Sequence, residues 1–322
     1  MKRSGKSILA AVCLFFTAPL VAEFLLGDLS LKLLPALIVL APMYGGGALL
    51  IRELVRRSGR GWPSIFLLGA AYTLVEEAFV DQSLFNPNFL GLHLAAIAWI
   101  PGLGIGAWWT LFMFNLHTFW SIGVSIALVE ALVPARGTSP WLGKIGDAIV
   151  GVLLVFGAIA IARYTVAKDP FVASHAQFLC AGCICVLLIF CAFMIPRPSP
   201  RADAGAVPIP WLTGAVALVL GMAVLIIPPT WKWGAFSAML GVDVVFLGFL
   251  AMLSKRTQWT PLHTQSLAAG GALAYGVHAF FKPPFAGGGG PLLGHIGNAI
   301  FLGVAVALIA VGAKRTSRSL RA

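Results

Sequence analysis

Apolar runs long enough to cross a bilayer alternate with short polar breaks along the whole chain. A helix needs about 20 apolar residues to cover roughly 30 Å of hydrocarbon. That requirement predicts about ten spans, at 8–26, 31–54, 64–84, 108–133, 145–164, 173–194, 211–227, 234–253, 264–281 and 292–311. The expected fold is all-α, a polytopic transmembrane helical bundle forming a single domain over residues 1–322. The basic start Met1-Lys2-Arg3-Ser4-Gly5-Lys6 before an apolar run has the form of a secretory signal. The run continues through Phe24-Leu25-Leu26, so a retained first helix is expected.

Composition agrees with the pattern. Hydrophobic residues make up 59% and charged residues 10% of the 322 residues, with a mean hydropathy of +0.94, whereas soluble domains carry about 25% charged residues. The net charge of +11 would suit nucleic acid, but the placement of the charges excludes that partner. Basic residues cluster in alternate loops: Lys2, Arg3 and Lys6; Arg52, Arg56, Arg57 and Arg60; Arg136 and Lys144; Arg197 and Arg201; Lys255 and Arg256; and Lys314 to Arg321. This alternation predicts a multi-pass protein of the cell membrane with both termini cytoplasmic and the lipid bilayer as its medium. Segment 86–108 then lies outside. Its apolar stretch 93–100 is too short to cross and is read as interfacial or re-entrant, before Trp108 and Trp109 mark the next interface. Cys180, Cys183, Cys185 and Cys191 share one span. The first two have the spacing of a redox or metal pair, but the expected role of all four is packing.

The chain also echoes itself. Trp62-Pro63 opens the third span and Trp259-Thr260-Pro261 precedes the ninth. Ala71-Tyr72 and Glu76-Glu77 before Phe79 parallel Ala274-Tyr275 and His278 before Phe280, and Asn115 and His117 parallel His295 and Asn298. The blocks are six spans apart, an even number, which predicts a parallel repeat of spans 1–4 in spans 7–10. The halves would be 8–136 and 211–315, joined by 145–194.

The polar residues inside the spans are few and one-sided. A carboxylate at bilayer depth costs about 2.5–3.5 kcal/mol on insertion scales, so Glu76 and Glu77 side by side in the third span need a partner or a function. The predicted topology puts them in the outer half with Glu23, Asp81, Asn115, His117, His278, His295 and Asn298, and suggests a polar cavity lined by spans three, four, nine and ten. Tyr72 and Ser121 fall on the stripes of Glu76 and His117. On a regular helix Glu76 and Glu77 diverge by about 100° and face different partners. Glu130, at the inner end of the fourth span, is expected to pair with Arg136.

Glu76-Glu77 followed one span later by His117 resembles the CAAX-protease and bacteriocin-processing family of intramembrane proteases, which carries Glu-Glu-x-x-x-Arg, Phe-x-x-x-His and His-x-x-x-Asn/Asp. Here Asp81 stands in the place of the arginine and Met113 in that of the phenylalanine. His175 is followed by Leu179 where Asn or Asp is expected, and His295 and Asn298 are one residue closer than the third motif requires. The stretch from Gly61-Trp62-Pro63 to Gln82-Ser83-Leu84-Phe85-Asn86-Pro87 also resembles an uncharacterised group of bacterial multi-pass membrane proteins. The protease resemblance implies a hydrolase acting on a membrane peptide, with Glu76, Glu77 and His117 as its catalytic residues. One glutamate would serve as general base on water. His117 would stabilise the oxyanion, or with Glu77 hold a divalent metal, although no tight metal-ligand motif is present. The alternatives are a proton-coupled carrier of a small molecule, which the repeat and the membrane-depth carboxylates suit, and a scaffold in which polar side chains only join helices.

Overall fold

The computed structural model describes residues 5–199 and 203–321. They form an all-α bundle of ten long helices: α1 (Gly5–Leu25), α2 (Leu31–Arg57), α3 (Trp62–Val80), α4 (Ala107–Leu132), α5 (Lys144–Lys168), α6 (His175–Met194), α7 (Pro210–Ile226), α8 (Trp233–Leu253), α9 (Pro261–His278) and α10 (Gly290–Arg321). Eight are long and apolar enough to cross a membrane; α7 is a shorter apolar helix, and α9 is less apolar. All ten expected spans are therefore helices. Lys2, Arg3 and Arg201, counted among the loop charges, lie outside the described residues.

Local chemistry sets where the helices begin. Pro63, Pro210 and Pro261 sit in first turns, where a missing N–H costs nothing. Ser174 with Gln177, and Thr260 with His263, close capping boxes over α6 and α9. Gly27 turns the chain from α1 to α2 at φ +81°, and a Cβ there would lie 2.8 Å from the Ala279 Cβ. Between α3 and α4 the chain is irregular. It forms one small antiparallel ribbon, β1 (Trp99–Ile100) with β2 (Ile105–Gly106), which pairs Trp99 with Gly106 and Ile100 with Ile105. Asn86 and Gln82 tie this segment to Asp169 and Ala173 between α5 and α6.

Helices α1 to α4 form the interior, with α4 the most buried. Outside them α5 packs on α2, α6 on α3, and α8, α9 and α10 on α4. α7 packs tightly on α9, where a Cβ on Gly270 would lie 2.1 Å from the Gly214 carbonyl; small residues at that crossing let two backbones approach. The outer helices expose apolar side chains, among them Ile145, Val152, Phe156, Leu187, Phe190 and Val244. On a membrane bundle such a surface faces lipid tails. Cys180 and Cys183 are free and exposed on the same surface, and Cys185 packs its thiol toward the Ala71 carbonyl.

At one end of α1–α4 the arginines read as loop charges are helical and engaged. Arg52 and Glu53 on α2 are both fully buried. Arg52 donates to Glu53 at 2.5 Å and to the carbonyls of Gly137 and Ser139, and it stacks on Trp141. Glu53 also accepts the backbone N–H groups of Trp141 and Leu142. Arg56 holds Glu130 in a two-point ion pair at 2.8 and 2.7 Å, with Arg52 3.1 Å away. The expected Glu130–Arg136 pair is thus replaced. α2 runs to Arg57 and brings planar guanidinium groups onto Glu130 across the helix interface, a geometry that favours bidentate pairing.

Candidate functional site

A second polar cluster occupies the other end of the same four helices. It is built on four π-helical turns, in which hydrogen bonds span five residues instead of four and side chains are re-aimed. They are Leu20–Leu25 in α1, Ala41–Gly45 in α2, Val75–Val80 in α3 and Leu116–Val124 in α4. They carry Glu23, Tyr44, Glu76 with Glu77, and His117 with Ser121, respectively. Single π turns recur at functional sites in helices, and four facing one another is a strong structural signal.

His117 is the hub. Its Nε2 lies 2.7 Å from Glu77 Oε1, and its Nδ1 lies 3.2 Å from Glu76 Oε2. The two glutamates therefore do not serve separate partners. Both lie in the π turn at 75–80, and each meets a different nitrogen of one imidazole. The Tyr44 ring stacks on that imidazole at 6.0 Å between centroids, and the Tyr72 ring meets it edge-on at 6.2 Å. Tyr44 donates to Glu23 at 2.5 Å. Ser83 donates to the second oxygen of Glu77 and accepts from Trp109 Nε1 at 3.1 Å. Ser121 lies 3.4 Å from His117 Nδ1. Glu76, Glu77 and His117 are 1%, 5% and 5% exposed.

Of the residues the sequence suggested, Tyr72 and Ser121 join Glu76, Glu77 and His117. Asp81 accepts from Thr165 on α5 and makes no hydrogen bond to His117. Asn115 donates to Asp243, a link between α4 and α8 that also satisfies the lone carboxyl of that helix. The α9–α10 residues do not reach the hub. His278 is half-buried, His295 is exposed and stacks on Phe280, and Asn298 donates to the Ala279 carbonyl. The far wall is supplied by α1 and α2 in place of the expected ninth and tenth spans. Glu23 was expected in the outer half but not at the cavity, and Tyr44, Ser83 and Trp109 were not among the candidates. The readable signal for the first two was a proline inside each apolar span. Pro19 precedes one π turn and Pro42 lies in another, and a missing N–H together with a ring clash forces the helix to widen or bend.

Tyr72 depends on a glycine. A Cβ at Gly47 on α2 would lie 2.3 Å from the ring carbon Cε2 of Tyr72. Gly47→Ala is expected to displace that ring and cost about 1–3 kcal/mol, the usual range for overpacking. Thermal melting in detergent checks it, and an unchanged midpoint would show that the ring is free to move.

No curated protein and no solved structure matches the chain. Residues 12–318 match a family model, so this integral membrane protein belongs to the family described as an uncharacterized membrane protein family.

Proposed function

We propose that the protein is an intramembrane hydrolase that cleaves a peptide bond within the bilayer, using Glu76, Glu77 and His117. The single observation that carries this reading is the imidazole hydrogen-bonded to Glu77 through Nε2 with the buried Glu76 carboxylate 3.2 Å from Nδ1. Such a set can take a proton from water and return it. Glu76 accepts the proton as water attacks the carbonyl carbon, and a C–O bond forms. His117, oriented by Glu77, donates to the developing oxyanion. The C–N bond then breaks, and the proton passes to the leaving amine. The likeness to the CAAX-protease and bacteriocin-processing family supports the same chemistry through Glu76-Glu77 and His117. A carrier would need room between two halves, whereas here the three groups close on one another.

The test is to express wild type and Glu77→Gln at equal levels and sequence new peptide termini in the host membrane proteome. Termini dependent on Glu77 are expected. Identical termini in both would overturn the hydrolase, and proton uptake by wild-type liposomes under a solute gradient would replace it with the carrier.

We also infer that the protein sits in the cell membrane with both termini cytoplasmic. Lys255, Lys314, Arg315 and Arg318 are at least partly exposed, and Arg315 caps the carbonyl of Leu132 at the inner end of α4. Asn88 and Ser199 are both exposed. In a background without native cysteines, an impermeant thiol reagent on intact cells should label Asn88→Cys and spare Ser199→Cys. The reverse pattern would invert the topology. The Trp-Pro openings of α3 and α9, and the buried Tyr72 and Tyr275 that follow them, support a duplication of 8–136 in 211–315.

A further inference from the structure

We propose that Glu76, Glu77 and His117 are ligands of a divalent transition-metal cation, zinc or a cation of similar nitrogen and oxygen preference. The inference concerns the site of the proposed hydrolase and rests on that reading for its purpose.

Three observations carry it. Each of the three residues offers a donor atom, and these atoms lie within 4.8 Å of one another. Metal–ligand distances of about 2.0–2.2 Å for nitrogen and carboxylate oxygen put neighbouring tetrahedral donors roughly 3.3 Å apart. The 3.2 Å between His117 Nδ1 and Glu76 Oε2 is that separation. This pair closes no hydrogen bond: Glu76 Oε2 is buried without a hydrogen-bond partner.

Second, the Tyr72 hydroxyl is buried and faces the Glu76 carboxyl. A phenol in that position is suited to an ion-bound water or carboxylate.

Third, charge does not balance. Glu76 and Glu77 are buried side by side, half-buried Glu23 bonds the Tyr44 that stacks on the same imidazole, and among the described residues no lysine or arginine forms an ion pair with any of the three. A single imidazolium offsets one carboxylate at most. At the opposite end of the same helices the buried glutamates each have arginine partners. A doubly charged ion would take the place of protons lying between nitrogen and carboxylate, and it would neutralise two carboxylates at once. The mixed oxygen and nitrogen donor set suits a first-row divalent ion better than magnesium or calcium, which prefer oxygen alone. Bound there, the ion would lower the proton affinity of a water beside Glu76.

The full-length protein, purified in detergent after growth in zinc-supplemented medium, is assayed for metal by mass spectrometry and then reloaded with cobalt(II) for its d–d spectrum. Wild type is expected to hold about one equivalent, and Glu76→Gln, Glu77→Gln and His117→Ala should each retain less than a tenth of it. The glutamine variants carry the test, because an amide of the same shape preserves packing where alanine removes it. A chelator should lower the melting temperature of wild type and leave that of Glu76→Gln unchanged. Wild type without metal under these conditions, or metal retained equally by the glutamine variants, overturns the site. Zinc bound with no Glu77-dependent peptide termini leaves the metal site standing and removes the hydrolase. Termini released by metal-free protein do the opposite.

Discussion

Replacing Glu53 by alanine is expected to lower stability by about 3–5 kcal/mol, the range for breaking a buried ion pair from one side. Glu53 is fully buried. Its two oxygens accept the Arg52 guanidinium and the backbone N–H groups of Trp141 and Leu142. Alanine would remove one charge, leave Arg52 buried beside Arg56, and leave two amide hydrogens without acceptors. The stranded amides account for part of that loss, on the order of 1–3 kcal/mol each unless water enters. The segment after α4, which is wrapped around Arg52 through the Gly137 and Ser139 carbonyls, would then lose the ligand that shapes it. A fall of melting temperature on the order of 10 °C in detergent follows from these magnitudes. Glu53→Gln should fall between the two, since it keeps an acceptor and loses the charge. A midpoint for Glu53→Ala within about 2 °C of wild type would show that the network is not what holds α2 to the α4–α5 connection.

His117→Ala is expected to be nearly as destabilising, but Glu76→Gln and Glu77→Gln are not. Removing the imidazole leaves Glu76 and Glu77 facing each other in a buried volume near Glu23, with the hydrogen bond to Nε2 and the stacking on Tyr44 both lost. About 3–5 kcal/mol is at stake. A neutral amide is cheaper to bury than a carboxylate, so each glutamine variant should insert and melt within about 1 kcal/mol of metal-free wild type. Activity should separate from stability in these variants. Loss of a general base or of its orienting partner lowers turnover by about 10²–10⁴-fold. Two measurements on the same preparations decide the matter: the melting midpoint and the yield of new peptide termini. Glutamine variants with wild-type yield would make the cluster a structural joint between α1, α2, α3 and α4, and the scaffold reading would stand.

Much of the fold was legible because hydropathy over 20 residues reports one dominant energy, the transfer of a backbone and its side chains into hydrocarbon. The expected starts of α6 and α8 lie within two residues of those observed. The end of α2 was less accurate. Arg56 and Arg57 looked like loop residues, since a charge is normally expelled from a span, yet they continue the helix because Glu130 and Asp147 wait beside them. No local pattern states that a charge has a partner 74 residues away.

The same limit governs the candidate site. The chain alone determined that this is a helical membrane protein, that Glu76 and Glu77 are its most expensive residues, and that His117 on the next span was the most plausible partner. Those conclusions follow from the cost of charge in lipid, which depends on residue type and depth. Only the tertiary structure decided which helices close the site. A regular helix separates Glu76 from Glu77 by about 100°, and they still share a partner because His117 lies between them and offers one nitrogen to each. Glu23 and Tyr44 come from the first two helices, while His295 and Asn298, which looked equivalent in sequence, lie elsewhere. Periodicity carries a side chain's direction only while the helix is regular. Two of the four irregular turns carry a proline signal in the chain; for the other two, at 75–80 and 116–124, packing is left to decide.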